Sequence, residues 1–305
     1  MMIRRHAIAF AAALAVLFAT APAPAQEKVR VLVTFSILGD FVKNVGGDRV
    51  EVSTLVGPNS DAHVYSPAPA DAKRVAAAKV VITNGLGFEG WMARLVKASG
   101  TKASPVVATK GIKPRKQQDA HGHAGHSHDS TDPHAWQSVA NAKIYVANIL
   151  AALIAADPAG KAAYEANAKA YLAKLDALDK DVREAVAAIP KDRRRIITSH
   201  DAFGYFQAAY GIEFIAPQGV STESEPSAQD VARIITQIKR QKIPAVFLEN
   251  VTDPRLIQRI AAETGARVGG QLYSDALTDE KGAAPTYIDM IRHNVKQLAA
   301  ALGTS

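Results

Sequence analysis

VRVLVTF, residues 29–35, is seven residues long and apolar at nearly every position. A run this short and this continuous reads as a strand buried on both faces, which is the habit of parallel sheets covered by helices. The pattern recurs at Val50 to Val56, Val80 to Thr83 and Val106 to Ala108, with helical periodicity at Ala70 to Ala78 and Phe88 to Lys97 between the later runs. After residue 190 it starts again: Arg195 to Ser199, Phe214 to Ala216, Ala245 to Glu249 and Val268 to Leu272 read as strands. Gln229 to Gln241, Pro254 to Thr264 and Thr286 to Leu302 read as helices. The expected fold is α/β, with two βα lobes built on parallel sheets.

Between the lobes, Asp157-Pro158 supplies a cap and a first-turn proline, and Ala159 to Ala188 then runs with no Pro or Gly except Gly160 near its start, until Pro190. Ala163, Tyr164, Ala168, Tyr171, Leu172, Leu175, Leu178, Val182 and Val186 recur at three- and four-residue steps, the signature of one buried face. About thirty residues make a rod on the order of 45 Å long. It is expected to join the lobes stiffly and to frame a crevice between them. An ordinary long surface helix within a single domain is the competing reading. The resulting partition is 1–25 leader, 26–156 N-terminal lobe, 157–190 linking helix and 191–305 C-terminal lobe.

The leader is read from Arg4 and Arg5, the apolar stretch Ala7 to Phe18, and Ala23-Pro24-Ala25, whose small residues suit a signal peptidase cutting after Ala25. The chain is thus expected in the periplasm. No other stretch is expected to have the 18 to 20 apolar residues of a membrane span. The 305 residues contain no cysteine, so no disulfide and no lipid anchor is expected. Losing Arg4 and Arg5 takes the formal charge from +7 to +5. The remaining basic residues are scattered over helices, which argues against a nucleic-acid footprint.

Nine histidines are present. His6 lies in the leader, and His293 on the last helix reads as solvated. His121, His123, His126 and His128 fall in AHGHAGHSHDS (120–130), a segment without apolar periodicity and so a mobile loop. His63, His134 and His200 remain, each in or beside a turn-rich loop, and Asp275 follows the last expected strand. Singly, each histidine reads more readily as structural than as a ligand. Loops at the carboxyl ends of parallel strands do converge on one crevice, so the four residues can meet there. Asp201 can orient an imidazole or cap a helix; Gly85 and Gly87 read as backbone turns without a phosphate-binding fingerprint.

The sequences DAHVYSP (61–67), DPHAW (132–136), SHDAFGYF (199–206) and YSD (273–275), in this order and on two exported lobes joined by a long helix, resemble the cluster A-I solute-binding proteins of ABC transporters for zinc and manganese. The likeness is nearest the zinc-type subgroup typified by ZnuA and AztC. It implies that His63, His134, His200 and Asp275 bind the transported metal, and that the partners are a zinc ion, a membrane permease and a periplasmic metallochaperone. It also implies a monomer. Manganese-type members place a glutamate at the third position, where this chain has His200. Three nitrogens and one carboxylate suit zinc, whereas manganese favours oxygen-rich sites. Ser66 stands where the family commonly has glutamate. The histidine-rich loop is an auxiliary zinc collector, a metallochaperone contact, or a plain tether. Four protein ligands leave no place for a substrate, so transport is expected and not catalysis. The alternatives are a manganese or iron receptor of the same class, a zinc-dependent hydrolase, and a surface adhesin.

Overall fold

The computed structural model describes residues 27–116 and 131–303. The leader, its cleavage point and the histidine-rich segment therefore lie outside the described residues. The first sheet holds β1 (Val29–Phe35), β2 (Val50–Val56), β3 (Val80–Thr83) and β4 (Val106–Val107) in the order β2-β1-β3-β4, all parallel. Helices α1 (Ser36–Gly46), α2 (Pro69–Ala77) and α3 (Met92–Ser99) make its crossovers. Val31, Leu32, Val33 and Phe35 are 0–1% exposed, so central β1, past the exposed Arg30, is covered on both faces as its largely apolar run demands.

A two-stranded antiparallel pair, β5 (Arg115–Lys116) with β6 (Thr131–Asp132), closes the ends of the segment outside the described residues. Next come α4 (Val139–Ala156), a short 3-10 turn at Pro158–Gly160, and the long α5 (Lys161–Ala187). The second sheet contains β7 (Arg195–Ile197), β8 (Glu213–Ile215), β9 (Ala245–Glu249) and β10 (Arg267–Leu272). Its order is β10-β9-β7-β8, again all parallel. Helices α6 (Gly204–Tyr210), α7 (Ala228–Gln241), α8 (Pro254–Thr264) and α9 (Tyr287–Leu302) complete the chain.

The long helix packs on α1 and α4 at one side and on α6 and α9 at the other. Its buried face is Tyr164, Ala168, Tyr171, Leu175, Leu178, Val182 and Val186, a stripe narrower than expected, because Ala163 is exposed and Leu172 only partly buried. One apolar core consequently runs from β1 through α5 to α9 and Leu302 without interruption. A smaller cluster, with Ile197, Ile234, Ile238 and Ile257, fills the space between the second sheet and α7 and α8. The sheets are separate, but the main core is shared.

Three expectations are corrected. Among the described residues α4 is long and apolar enough to cross a membrane, with 18 residues and mean hydropathy 1.7, contrary to the reading that no such stretch follows the leader. Its Val139, Ala142, Tyr145, Val146, Ile149 and Leu153 are buried, and alanines supply much of the remaining hydropathy. The helix expected from Phe88 begins only at Met92. Leu86 and its neighbours Gly85 and Gly87 adopt positive φ, and the Glu89 carboxylate takes the backbone N–H groups of Asn84 and Gly85, so the chain turns there. The strand expected to reach Ser199 ends at Ile197. The N–H groups of Ser199 and His200 go to the Glu249 carboxylate instead of a neighbouring strand.

A shared core makes a definite prediction. Leu175→Ala should cost about 2–5 kcal/mol and leave a single unfolding transition, followed by far-ultraviolet circular dichroism in denaturant. Two resolved transitions would contradict the continuous core.

Candidate metal centre

His63 sits in the loop after β2, where its backbone N–H donates to Asp61 Oδ1 at 2.8 Å. Its ring meets Phe88 edge-on, with centroids 4.6 Å apart. His134 follows β6 directly. Its backbone N–H donates to Asp132 Oδ1 at 3.0 Å, and its Nδ1 lies 2.9 Å from the same oxygen. A carboxylate only accepts, so Nδ1 carries a proton and Nε2 is the nitrogen turned toward the other three residues. His200 follows β7. Glu249 Oε1 accepts from the Ser199 and His200 N–H groups at 2.7 and 3.0 Å. Glu249 Oε2 lies 2.8 Å from His200 Nδ1, an ion-pair distance off the direction of a well-formed hydrogen bond. Asp275 follows β10.

The four expected residues are brought together. His63 Nε2 is 3.3 Å from His134 Nε2 and 3.3 Å from Asp275 Oδ2. His200 Nε2 is 3.1 Å from Asp275 Oδ2, and His134 Nε2 is 3.5 Å from Asp275 Oδ1. One ligand atom from each lies within 4.8 Å of the others. A tetrahedral zinc with arms of about 2.1 Å needs edges near 3.4 Å; these four separations are of that size, with Asp275 presenting Oδ2 to His63 and His200 and Oδ1 to His134. Asp275 Oδ1 is buried and has no hydrogen-bond partner, a lone pair that a cation would satisfy. His134, His200 and Asp275 are 0% exposed and His63 only 6%. His63 opens onto a cleft of about 470 Å³ that Phe88, Thr131, Val220 and Glu223 help to line.

The electrostatics favour a cation. Burial alone would push the Asp275 carboxyl upward, but the imidazoles of His200 and His134 hold it well below the usual carboxylate range. Burial pulls His200 down, and the Glu249 and Asp275 charges override it and hold the imidazole well above its ordinary value. Burial, aided by the Asp132 charge, raises Asp201.

Several functional groups were not legible beforehand. Asp201 fills neither role weighed for it, because the acceptors behind the imidazoles are Asp132 and Glu249 and the helix cap at α6 is Phe203. An acidic residue closing an otherwise apolar strand was the available signal for Glu249. Asp132 is packed so tightly that a Cβ on Gly204 would lie 2.6 Å from its Oδ2. The polar loop after β8 does reach the crevice: Thr222 donates to Asp61 Oδ2 at 2.5 Å. His121, His123, His126 and His128 lie outside the described residues, although β5 and β6 anchor the two ends of their segment beside His134.

Residues 31–301 match the family profile of ZnuA, the periplasmic component A of the zinc-uptake complex. The chain belongs to the ZnuA family. It is 35% identical over 282 residues to the iron-binding protein YfeA of Yersinia pestis, covering 92% of this chain and 89% of that one. To the manganese-binding lipoprotein MntA of Halalkalibacterium halodurans it is 34% identical, covering 90% and 89%. The solved structure of the periplasmic zinc-binding protein TroA from Treponema pallidum superposes with a TM-score of 0.83 at 30% identity, over 91% of this chain and all of that one. This ZnuA-family chain is therefore a periplasmic metal-binding receptor of an ABC transporter and not an enzyme. Its relatives are named for iron, manganese and zinc, so membership leaves the metal open.

The raised pKa favours a protonated His200 in the metal-free form, and a metal taking His200 as a ligand would have to displace that proton. Because that pKa is raised, the protonated metal-free form is favoured below about 6.5 and still competes above it, so affinity should rise with pH beyond neutrality. Calorimetry at pH 7 in buffers of different ionisation enthalpy should detect proton release, and Glu249→Gln should reduce it. Identical enthalpies in every buffer would refute this proton displacement.

Proposed function

We propose that this chain is a zinc receptor, with His63, His134 and His200 binding Zn2+ through Nε2 and Asp275 through its carboxylate, and that it delivers the ion to an ABC import permease. The observation that carries the reading is the donor set: three imidazole nitrogens and one carboxylate gathered within 4.8 Å, with His63 3.3 Å from His134 and the Asp275 oxygens 3.1–3.5 Å from the three rings, near the edge length of a four-coordinate zinc site. Asp132 and Glu249 support it by holding two of the rings from behind. In the same proposal the leader is removed after Ala25, the lobes are 26–156 and 191–305, and the receptor acts as a monomer. The four histidines of 121–128 are its auxiliary collector, or a contact for a metallochaperone.

A second reading, a manganese or iron receptor, has its own support. Both oxygens of Asp275 face imidazole nitrogens, Oδ2 at 3.1 Å from His200 and Oδ1 at 3.5 Å from His134. A carboxylate so placed can chelate and raise the coordination number, as larger oxygen-preferring ions require. The iron and manganese named in YfeA and MntA point the same way.

Competitive zinc titration of the exported protein separates these proposals from error. Loss of an outer acceptor already costs 10–100-fold in affinity, so His200→Ala should cost more than about 100-fold. Undiminished stoichiometric zinc in that variant would remove the site. Manganese recovered in preference to zinc from a medium supplying both would transfer the assignment to the second reading. Deleting residues 122–129 should slow zinc loading and leave the final affinity intact if the segment collects metal. An unchanged loading rate would leave it a tether.

A further inference from the structure

The carbonyl that precedes Asp275 belongs to Ser274, and two side chains from across the crevice hold it. Trp136 Nε1 donates to it at 2.8 Å and Gln137 Nε2 at 2.7 Å. Both donors lie in the 3-10 turn Ala135–Gln137 that directly follows His134. Trp136, Gln137 and Ser274 are all 0% exposed, so water cannot replace either donor. The far end of the turn is fixed too, because Tyr287 at the start of α9 donates its hydroxyl to the Trp136 carbonyl at 2.6 Å.

Related contacts precede two other ligand positions. Trp91 Nε1 donates to the carbonyl of Ala62, before His63, and Asn84 Nδ2 to that of Pro133, before His134. Those donors and acceptors belong to the same side of the crevice. At Ser274 alone among these three, the donors come from residues before the long helix and the acceptor from residues after it. The turn that presents His134 therefore also fixes the peptide that presents Asp275.

We propose that Trp136 and Gln137 are positioning residues that fix the Asp275 carboxylate relative to His134 and so set the preference for a small four-coordinate cation. This rests on the proposed zinc site. A carbonyl oxygen has two lone pairs, and two N–H donors occupy both. Rotating the 274–275 peptide would break both bonds at once. With the peptide held, Asp275 Oδ2 stays 3.1 Å from His200 and 3.3 Å from His63, while Oδ1 stands back at 3.5 Å from His134. Releasing the peptide lets the carboxylate pivot and engage a metal through both oxygens, which favours larger ions with more ligands.

The test measures zinc and manganese affinities and the visible spectrum of bound Co2+ for the full exported chain and its Gln137→Met, Trp136→Phe and Asp275→Ala variants. Gln137→Met and Trp136→Phe should each lower zinc affinity on the order of tenfold and lower manganese affinity less. They should also weaken the cobalt d–d bands, which are intense in tetrahedral sites and faint at higher coordination. Gln137→Met keeps the indole bond and the side-chain volume, so it tests the proposal even if Trp136→Phe fails to fold. Unchanged zinc affinity and cobalt spectrum in a folded Gln137→Met variant would overturn it. Equal losses for zinc and manganese with an unaltered cobalt spectrum would also overturn it, since that is the mark of general loosening. Asp275→Ala tests the underlying site separately: retained zinc binding there would overturn the zinc-site reading itself.

Discussion

A carboxylate withdrawn wholly from water, Asp275 at 0% exposure among three imidazoles, is the constraint from which most of the centre follows. An isolated buried charge is costly, and it persists only where partners surround it. Asp275 has them in His63, His134 and His200, and two of those rings are backed by further buried carboxylates, Asp132 and Glu249. With neutral imidazoles the three carboxylates carry three negative charges. An imidazolium at His200 offsets one, a divalent cation offsets two, and Arg115, 3.9 Å from Asp132, offsets another. The cluster is thus nearest to neutrality with a dication in place, which gives capture an electrostatic reason independent of any family likeness.

The same constraint needs a scaffold that does not let the charges drift apart. The shared core supplies it, since α5 packs against elements of both sheets and its apolar face is buried throughout. Polar contacts reinforce the seam: Asn59 donates its N–H to the Leu277 carbonyl at 2.8 Å, and Leu277 donates to Ser36 Oγ at 2.9 Å. Asp40, on α1, accepts from Tyr171 on α5 and from the backbone N–H of Tyr287 on α9. Swinging the sheets apart would strand these groups, and a buried donor without a partner costs about 1–3 kcal/mol. Motion that admits or releases metal is cheaper near His63, the only one of the four with measurable exposure and the one that lines the cleft.

Much of this was legible in the sequence for identifiable reasons. Strands buried on both faces betray themselves as short apolar runs, and the positions and parallel sense of β1, β2 and β3 followed from them. The face of α5 followed from its periodicity. The four residues that meet at the centre, His63, His134, His200 and Asp275, were singled out together by the order of their four motifs, since each histidine alone reads as structural. What could not be read depends on tertiary partners. Nothing local announces that Glu249, at the end of Ala-Val-Phe-Leu-Glu, will turn its carboxylate to the N–H groups of residues 199 and 200 and end β7 early. Nor does Phe88-Glu89-Gly90-Trp91 announce that Glu89 will bind Asn84 and Gly85 and postpone α3. Side-chain capture of backbone N–H groups overrode local propensity in both places.

Glu249 also bears on the metal. Its Oε2 stands 2.8 Å from His200 Nδ1, a separation that suits a ring nitrogen able to carry a proton. A carboxylate ligand at position 200 has no such nitrogen, and it would bring a like charge toward a fully buried glutamate. Such repulsion is severe in a desolvated setting. Glu249 is thereby matched to an imidazole at position 200, and placing a carboxylate there would call for changing Glu249 as well. The preference for a nitrogen at position 200 is therefore built into the second sheet, through Glu249 at the end of β9 beside the residue that follows β7, and does not depend on His200 alone.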